Sequence, residues 1–131
     1  MPATALTAMT EQQLLDCVIE AAHLFGWKAA HFRPARTANG WRTPLSGDGA
    51  GFPDLVMTRE RVLFAELKSA KGVLSDEQSD WVGGLVGAKA EFHLWKPEDW
   101  QDGTIENVLR RRSSPNPVSH HHQLETERAT Q

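Results

Sequence analysis

Pro53-Asp54-Leu55-Val56-Met57-Thr58-Arg59-Glu60-Arg61-Val62-Leu63-Phe64-Ala65-Glu66-Leu67-Lys68 contains two runs of β-forming residues, Leu55 to Thr58 and Arg61 to Lys68, joined by a very short polar link. Two such runs so close together read as a β-hairpin. Side chains alternate along a strand, so Glu66 and Lys68 share one face while Leu67 points to the other. With the turn centred on Glu60, Asp54 falls directly opposite Glu66. Directly opposed residues have Cβ atoms about 5 Å apart and share a face. A turn shifted by one residue offsets the pair, and the sequence leaves that register open.

Two facing carboxylates disfavour each other's ionisation. Setting them in strands otherwise made of Leu55, Val56, Val62, Leu63 and Phe64 is costly unless something compensates. A divalent cation does so. Mg²⁺ takes a few carboxylate oxygens and keeps several waters, which suits two carboxylates and a main-chain carbonyl. Lys68, on the same face, is then placed to orient or activate a metal-bound water.

On the N-terminal side, Leu14, Leu15, Val18, Ile19, Ala22 and Phe25 form one apolar stripe on a helix capped by Thr10 and ended by Gly26. Thr10 and Gln13 fit a capping box. Trp27 to Arg33 reads as a strand, and Pro34 to Pro53 as a long segment without periodicity. Long unstructured loops are uncommon in compact domains. Gly47-Asp48-Gly49-Ala50-Gly51 lacks the Gly-Lys-Ser/Thr of a nucleotide P-loop, which leaves a flexible turn or a loop that closes over a substrate.

On the C-terminal side, Ser75-Asp76-Glu77-Gln78 is a second capping box, opening a helix expected to turn Trp81, Leu85 and Val82 inward. Gly83, Gly84 and Gly87 weaken that helix, so packing must hold it. Glu91 to Trp95 reads as a strand ended by Pro97, and Ile105 to Arg112 as a last helix. The order of helix, strand, loop, hairpin, helix, strand, helix indicates a mixed α/β fold over residues 10–112. Residues 1–9 and 113–131 read as a disordered start and tail, the latter rich in Ser, Pro, His, Gln and Thr.

The chain of 131 residues suits one core and no second one. The single Cys17 excludes an intramolecular disulfide framework and a cysteine-only zinc site, and fits a reducing, cytoplasmic setting. No apolar run reaches the roughly 20 residues of a membrane span. A net charge of −3 argues against non-specific coating of nucleic acid, but Lys28, Arg33, Arg36 and Arg42 lie between Trp27 and Gly47 with no acid among them. Arg33, Arg36 and Arg42 are therefore assigned to phosphate contact with DNA. His23, His31 and His93 lack metal-ligand spacing and read as packed or surface residues, while Trp81, Trp95 and Trp100 read as core or interface.

Pro53-Asp54 followed by Glu66-Leu67-Lys68 resembles the PD-(D/E)XK nuclease signature. More closely, Gly51 to Leu55, Ala65 to Ser69, Gln78, Trp81 and Trp95 to Trp100 resemble the virus-type replication-repair nuclease (VRR-NUC) domain, over about residues 10–110. The resemblance implies a restriction-endonuclease-like core that hydrolyses DNA phosphodiester bonds with Mg²⁺ or Mn²⁺. It further implies Asp54, Glu66 and the Leu67 carbonyl as metal ligands and Lys68 as the catalytic lysine. Gln78 would join the active site, and Glu11 on the first helix would complete the metal site, with Glu20 a rival. Stand-alone members of the family are mostly phage-encoded and are thought to act as homodimers on branched DNA. The chain looks like that kind, since no second domain is visible in it. A non-catalytic nucleic-acid-binding module, or an interaction subunit of a phage replication or packaging machine, stands as the alternative. Gln78 has an ordinary role as well, as the third residue of a capping box, and Glu11 as a first-turn acid favoured by the helix dipole.

Overall fold

Thr10 opens the first helix, α1 (Glu11–Leu24), as the sequence predicts. Its hydroxyl accepts the Gln13 N–H at 3.0 Å, and the Gln13 side chain accepts the Thr10 N–H at 2.9 Å. Gly26, at φ +90°, ends it. The Gly26 N–H donates to His23 and the Trp27 N–H to Ala22, so two terminal carbonyls are satisfied in a Schellman motif. The computed structural model describes residues 9–32, the backbone of 35–37 and 40–42, and residues 46–112.

The strands are β1 (Lys28–His31), β2 (Ala35–Thr37), β3 (Gly40–Arg42), β4 (Leu55–Thr58), β5 (Val62–Leu67) and β6 (Glu91–Trp95). The remaining helices are α2 (Asp76–Gly87), α3 (Pro97–Gln101) and α4 (Thr104–Arg110). Four strands form one mixed sheet in the order β1-β4-β5-β6, antiparallel except for the parallel pair β5–β6. The fold is therefore mixed α/β.

Period-two burial shows how the sheet is used. Leu55, Met57, Leu63, Ala65, Leu67 and Trp95 all face one side, where Leu14, Leu15, Val18 and Ala22 of α1 and Ile105 and Leu109 of α4 cover them. These residues are at most 4% exposed and make the core. Met9, at the end of the predicted disordered start, packs against it. The other face carries Val56, Phe64, Glu66 and Lys68, and α2 lies beyond it. A row of edge-to-face rings, Phe32–Phe52, Phe52–Phe64 and Phe52–Trp81, fills the space there at centroid distances of 5.0 to 6.2 Å.

The structure adds to or departs from the sequence reading in three places. The stretch expected to lack structure holds the antiparallel ribbon β2–β3, with Arg36 opposite Trp41. Three-residue strands are too short for alternation to register, so the sequence pattern could not reveal them. The segment after Pro97 is not a bare stop. Pro97 begins α3, where the Lys96 N–H is held by the Asp99 carboxylate at 2.8 Å. Finally, α2 has no fully buried residue, and Trp81, Val82 and Leu85 are only partly covered.

The turn between β4 and β5 does unexpected structural work. The Arg59 guanidinium donates to the carbonyls of Phe25, Leu109 and Arg111. Arg61 donates to those of Val108 and Arg111 and pairs with Glu91 at 2.7 Å. Both guanidinium groups lie over the Trp27 ring, 4.6 and 4.9 Å from its centroid. The ends of α1 and α4 are thus capped by charge placed where the helix dipoles are negative.

Candidate active site

The hairpin register is centred on Glu60: Leu55 pairs with Ala65, Val56 with Phe64, Met57 with Leu63 and Thr58 with Val62. One step further along that ladder, Asp54 faces Glu66. The Asp54 N–H donates to Glu66 Oε1 at 3.2 Å, and Asp54 Oδ2 accepts the Leu67 N–H at 2.9 Å. The Phe32 N–H holds the Asp54 carbonyl at 3.1 Å, which ties the residue to β1, and Pro53 before it is buried. Alternation puts Glu66 and Lys68 on one face while Leu67, 1% exposed, goes to the core.

Glu66, 3% exposed, is the buried charged side chain among the described residues. Burial above all, then the Asp54 charge, pushes its pKa up to about 8, against a pull downward from Lys68. Lys68 Nζ stands 3.8 Å from Glu66 Oε2. Gln78 Nε2 donates to the same oxygen at 2.7 Å. Asp54, Glu66, Lys68 and Gln78 therefore come together as the sequence reading expects.

Glu11 is the first residue of α1 and exposed overall, yet partial burial of its carboxyl and the Asp54 charge raise its pKa, while Lys68 lowers it. It thus lies in the field of the pair. Glu20 is exposed, and its charge acts on Cys17 instead. Among the described residues no group of three or more His, Cys, Asp or Glu side chains converges tightly enough to hold a metal ion. The donor set at the hairpin's end nevertheless fits a hard cation. Asp54 and Glu66 supply carboxylate oxygens, and a buried acid with a raised pKa is the kind that a cation returns to its ionised form. The two polar groups of one strand residue point to the same edge, so the Leu67 carbonyl lies on the side where its N–H meets Asp54.

The expected DNA contacts are less fully described. Arg33 and the side chains of Arg36 and Arg42 lie outside the described residues, though the backbone puts Arg36 on β2 and Arg42 on β3. His120 to His122 also lie outside them. His93 stacks on Trp95 and pairs with Glu91 at 2.8 Å, away from the acid pair.

Two residues named in the sequence only within a glycine-rich turn and the family resemblance acquire a structural role beside the site. Gly51, at φ +83°, lies so close to the start of α2 that a Cβ there would sit 2.5 Å from the Glu77 carbonyl carbon. Phe52, next to it, is the centre of the aromatic row. The Trp81 indole N–H donates to the Asp48 carbonyl at 2.9 Å, so the glycine-rich turn is tied to α2. A groove runs between them, lined by Gly47, Asp48, Glu77, Asp80, Trp81 and Leu85. The only signal in the sequence was the run of glycines, which announces a close approach without naming its partner.

No family model, no curated protein and no solved structure matches the chain. No helix among the described residues is long and apolar enough to cross a membrane.

Proposed function

We propose that the protein is a metal-dependent endonuclease of the PD-(D/E)XK kind that hydrolyses phosphodiester bonds in DNA. The observation that carries this reading is the facing pair Asp54 and Glu66, in which Glu66 Oε1 accepts the Asp54 N–H and Asp54 Oδ2 accepts the N–H of Leu67, with the Lys68 ammonium 3.8 Å from Glu66 on the same face. A structural ion pair needs one acid for one base. Two facing acids beside one lysine leave, once both acids are ionised, a net negative site suited to a hard cation beside phosphate.

Asp54, Glu66 and the Leu67 carbonyl would hold Mg²⁺ or Mn²⁺, with Glu11 on the rim. Bound there, the ion supplies Lewis-acid stabilisation of charge on phosphate and an acidified water. Lys68, 3.8 Å from Glu66 Oε2, would orient the attacking water and offset charge in the transition state. Gln78 fixes the Glu66 carboxylate through its amide. The ribbon β2–β3 offers Arg36 and Arg42, with Arg33 just before it, for contact with the DNA backbone. Branched, flapped or junction DNA as the preferred substrate, and a homodimeric state, rest on the VRR-NUC resemblance.

Cleavage of labelled linear, flapped and four-way-junction DNA with Mg²⁺, Mn²⁺ or EDTA tests the proposal. Cutting is expected only with metal, and Lys68→Ala is expected to reduce it by about 10²–10⁴-fold with the thermal transition intact. Activity that survives Lys68→Ala would place the site elsewhere. DNA binding without cutting on any substrate would leave the non-catalytic binding module.

A further inference from the structure

The Gln78 amide is held at both ends. Its Oε1 accepts the Ser75 main-chain N–H at 2.8 Å, and its Nε2 donates to Glu66 Oε2 at 2.7 Å. A main-chain N–H can only donate, so the atom facing it must be the amide oxygen. The nitrogen is thereby forced toward Glu66. The Ser75 hydroxyl closes the loop by accepting the Gln78 N–H at 3.1 Å, which holds the residue's backbone at the third position of α2.

We propose that Ser75 is a positioning residue for the acid pair: its main-chain N–H sets the Gln78 amide so that an N–H, and not a carbonyl oxygen, is aimed at Glu66. The inference rests on the reading of Asp54 and Glu66 as metal ligands. With Glu66 ionised, as a metal ligand must be, an amide turned the other way would set a lone pair against Oε2, adding negative potential where Asp54 already stands. In the observed orientation Oε2 lies against Gln78 and Lys68, and Oε1, which accepts the Asp54 main-chain N–H, is the edge turned toward Asp54. The capping box thus does two things. It starts a helix, and it chooses which edge of Glu66 is turned toward a shared cation.

Three variants separate these roles. Ser75→Ala loses the hydroxyl but keeps the main-chain N–H. Ser75→Pro loses both, and Ser75 has φ −74°, a value proline adopts without strain. Gln78→Glu keeps an acceptor for the Ser75 N–H, since glutamate also completes a capping box, but turns a carboxylate oxygen toward Glu66.

The Gln78 side-chain NH₂ signals are followed by NMR in ¹⁵N-labelled protein with EDTA, and Mn²⁺ affinity by calorimetry. The wild type and Ser75→Ala are expected to show a Gln78 Nε2 proton shifted downfield and slow to exchange with water, and Ser75→Pro the shifts and fast solvent exchange of a free amide. Mn²⁺ affinity is expected to stay near wild type in Ser75→Ala and to fall about 10- to 100-fold in Ser75→Pro and Gln78→Glu, the range for groups that orient a metal ligand. Gln78→Glu is expected to stay folded by circular dichroism, since it keeps the capping box. Free-amide signals in the wild type, or equal signals in Ser75→Pro and Ser75→Ala, would overturn the proposal. If circular dichroism shows that Ser75→Pro fails to fold, undiminished Mn²⁺ affinity in Gln78→Glu would overturn it instead. A wild type that binds no Mn²⁺ would sink the metal reading, while the amide signals would still decide whether Ser75 sets the orientation.

Discussion

At Glu66, burial and the Asp54 carboxylate together push the pKa to about 8 from an ordinary 4.5. The folded protein therefore holds a proton that the unfolded chain releases. Its contribution to stability is complete below pH 4.5 and is lost as pH rises toward 8. In metal-free protein this change is worth on the order of a few kcal/mol across that window. Thermal melts in EDTA between pH 5 and about 8.5 should show falling stability, and Glu66→Gln should flatten the slope; an unchanged slope in the variant would assign the loss to another group. The acid pair was legible in the sequence because alternation and a turn centred on Glu60 suffice to oppose Asp54 and Glu66. The burial of Glu66 was not legible. It depends on α2, whose Gln78 lies against Glu66 from twelve residues further on.

The helix α2 shows how an element with weak propensity is held in place by others. It contains Gly83, Gly84 and Gly87 and buries no side chain fully, but its N-terminal half is fastened by the capping box, by Gln78 to Glu66 and by Trp81 to Asp48. Gly51 approaches that turn too closely for any side chain. Gly51→Ala combines a left-handed backbone with a steric clash and should cost about 2–4 kcal/mol. It should also loosen Gln78, so denaturant melts and the Gln78 amide signal are expected to change together. The hairpin turn is the second case. Arg59→Ala removes a fork shared by carbonyls at the ends of α1 and α4 and should lower stability by about 1–3 kcal/mol in urea melts. Arg59→Lys should recover little, because an ammonium cannot reproduce the fork. Sequence reading placed α1, the hairpin, α2 and β6 from capping boxes and period. It missed α3 and the ribbon β2–β3, which are too short to show a period, and the arginines' role, which needs two distant helix ends to meet.

Across the whole molecule, one sheet face is spent on the core and the other on the site. A mixed sheet with β5 at its centre brings Asp54, Glu66 and Lys68 to one end, beside the start of α2 and within the field of Glu11. Cation binding there should couple to folding. Mg²⁺ or Mn²⁺ at 100 times its Kd should add about 2.7 kcal/mol and raise Tm by roughly 5–15 °C. Differential scanning calorimetry with metal and with EDTA measures this, and an unchanged Tm would count against the metal centre. Local chemistry settled the two capping boxes, the apolar stripe of α1, the hairpin and its pair of opposed acids, because each depends on residues close together in the chain. Packing settled the rest: the parallel pairing of β5 with β6, the burial that raises Glu66, the grip of Arg59 and Arg61 on two helix ends, and the seat of Gly51 against α2. Those features arise from contacts between segments far apart in sequence, where neither periodicity nor spacing carries any record of the partner.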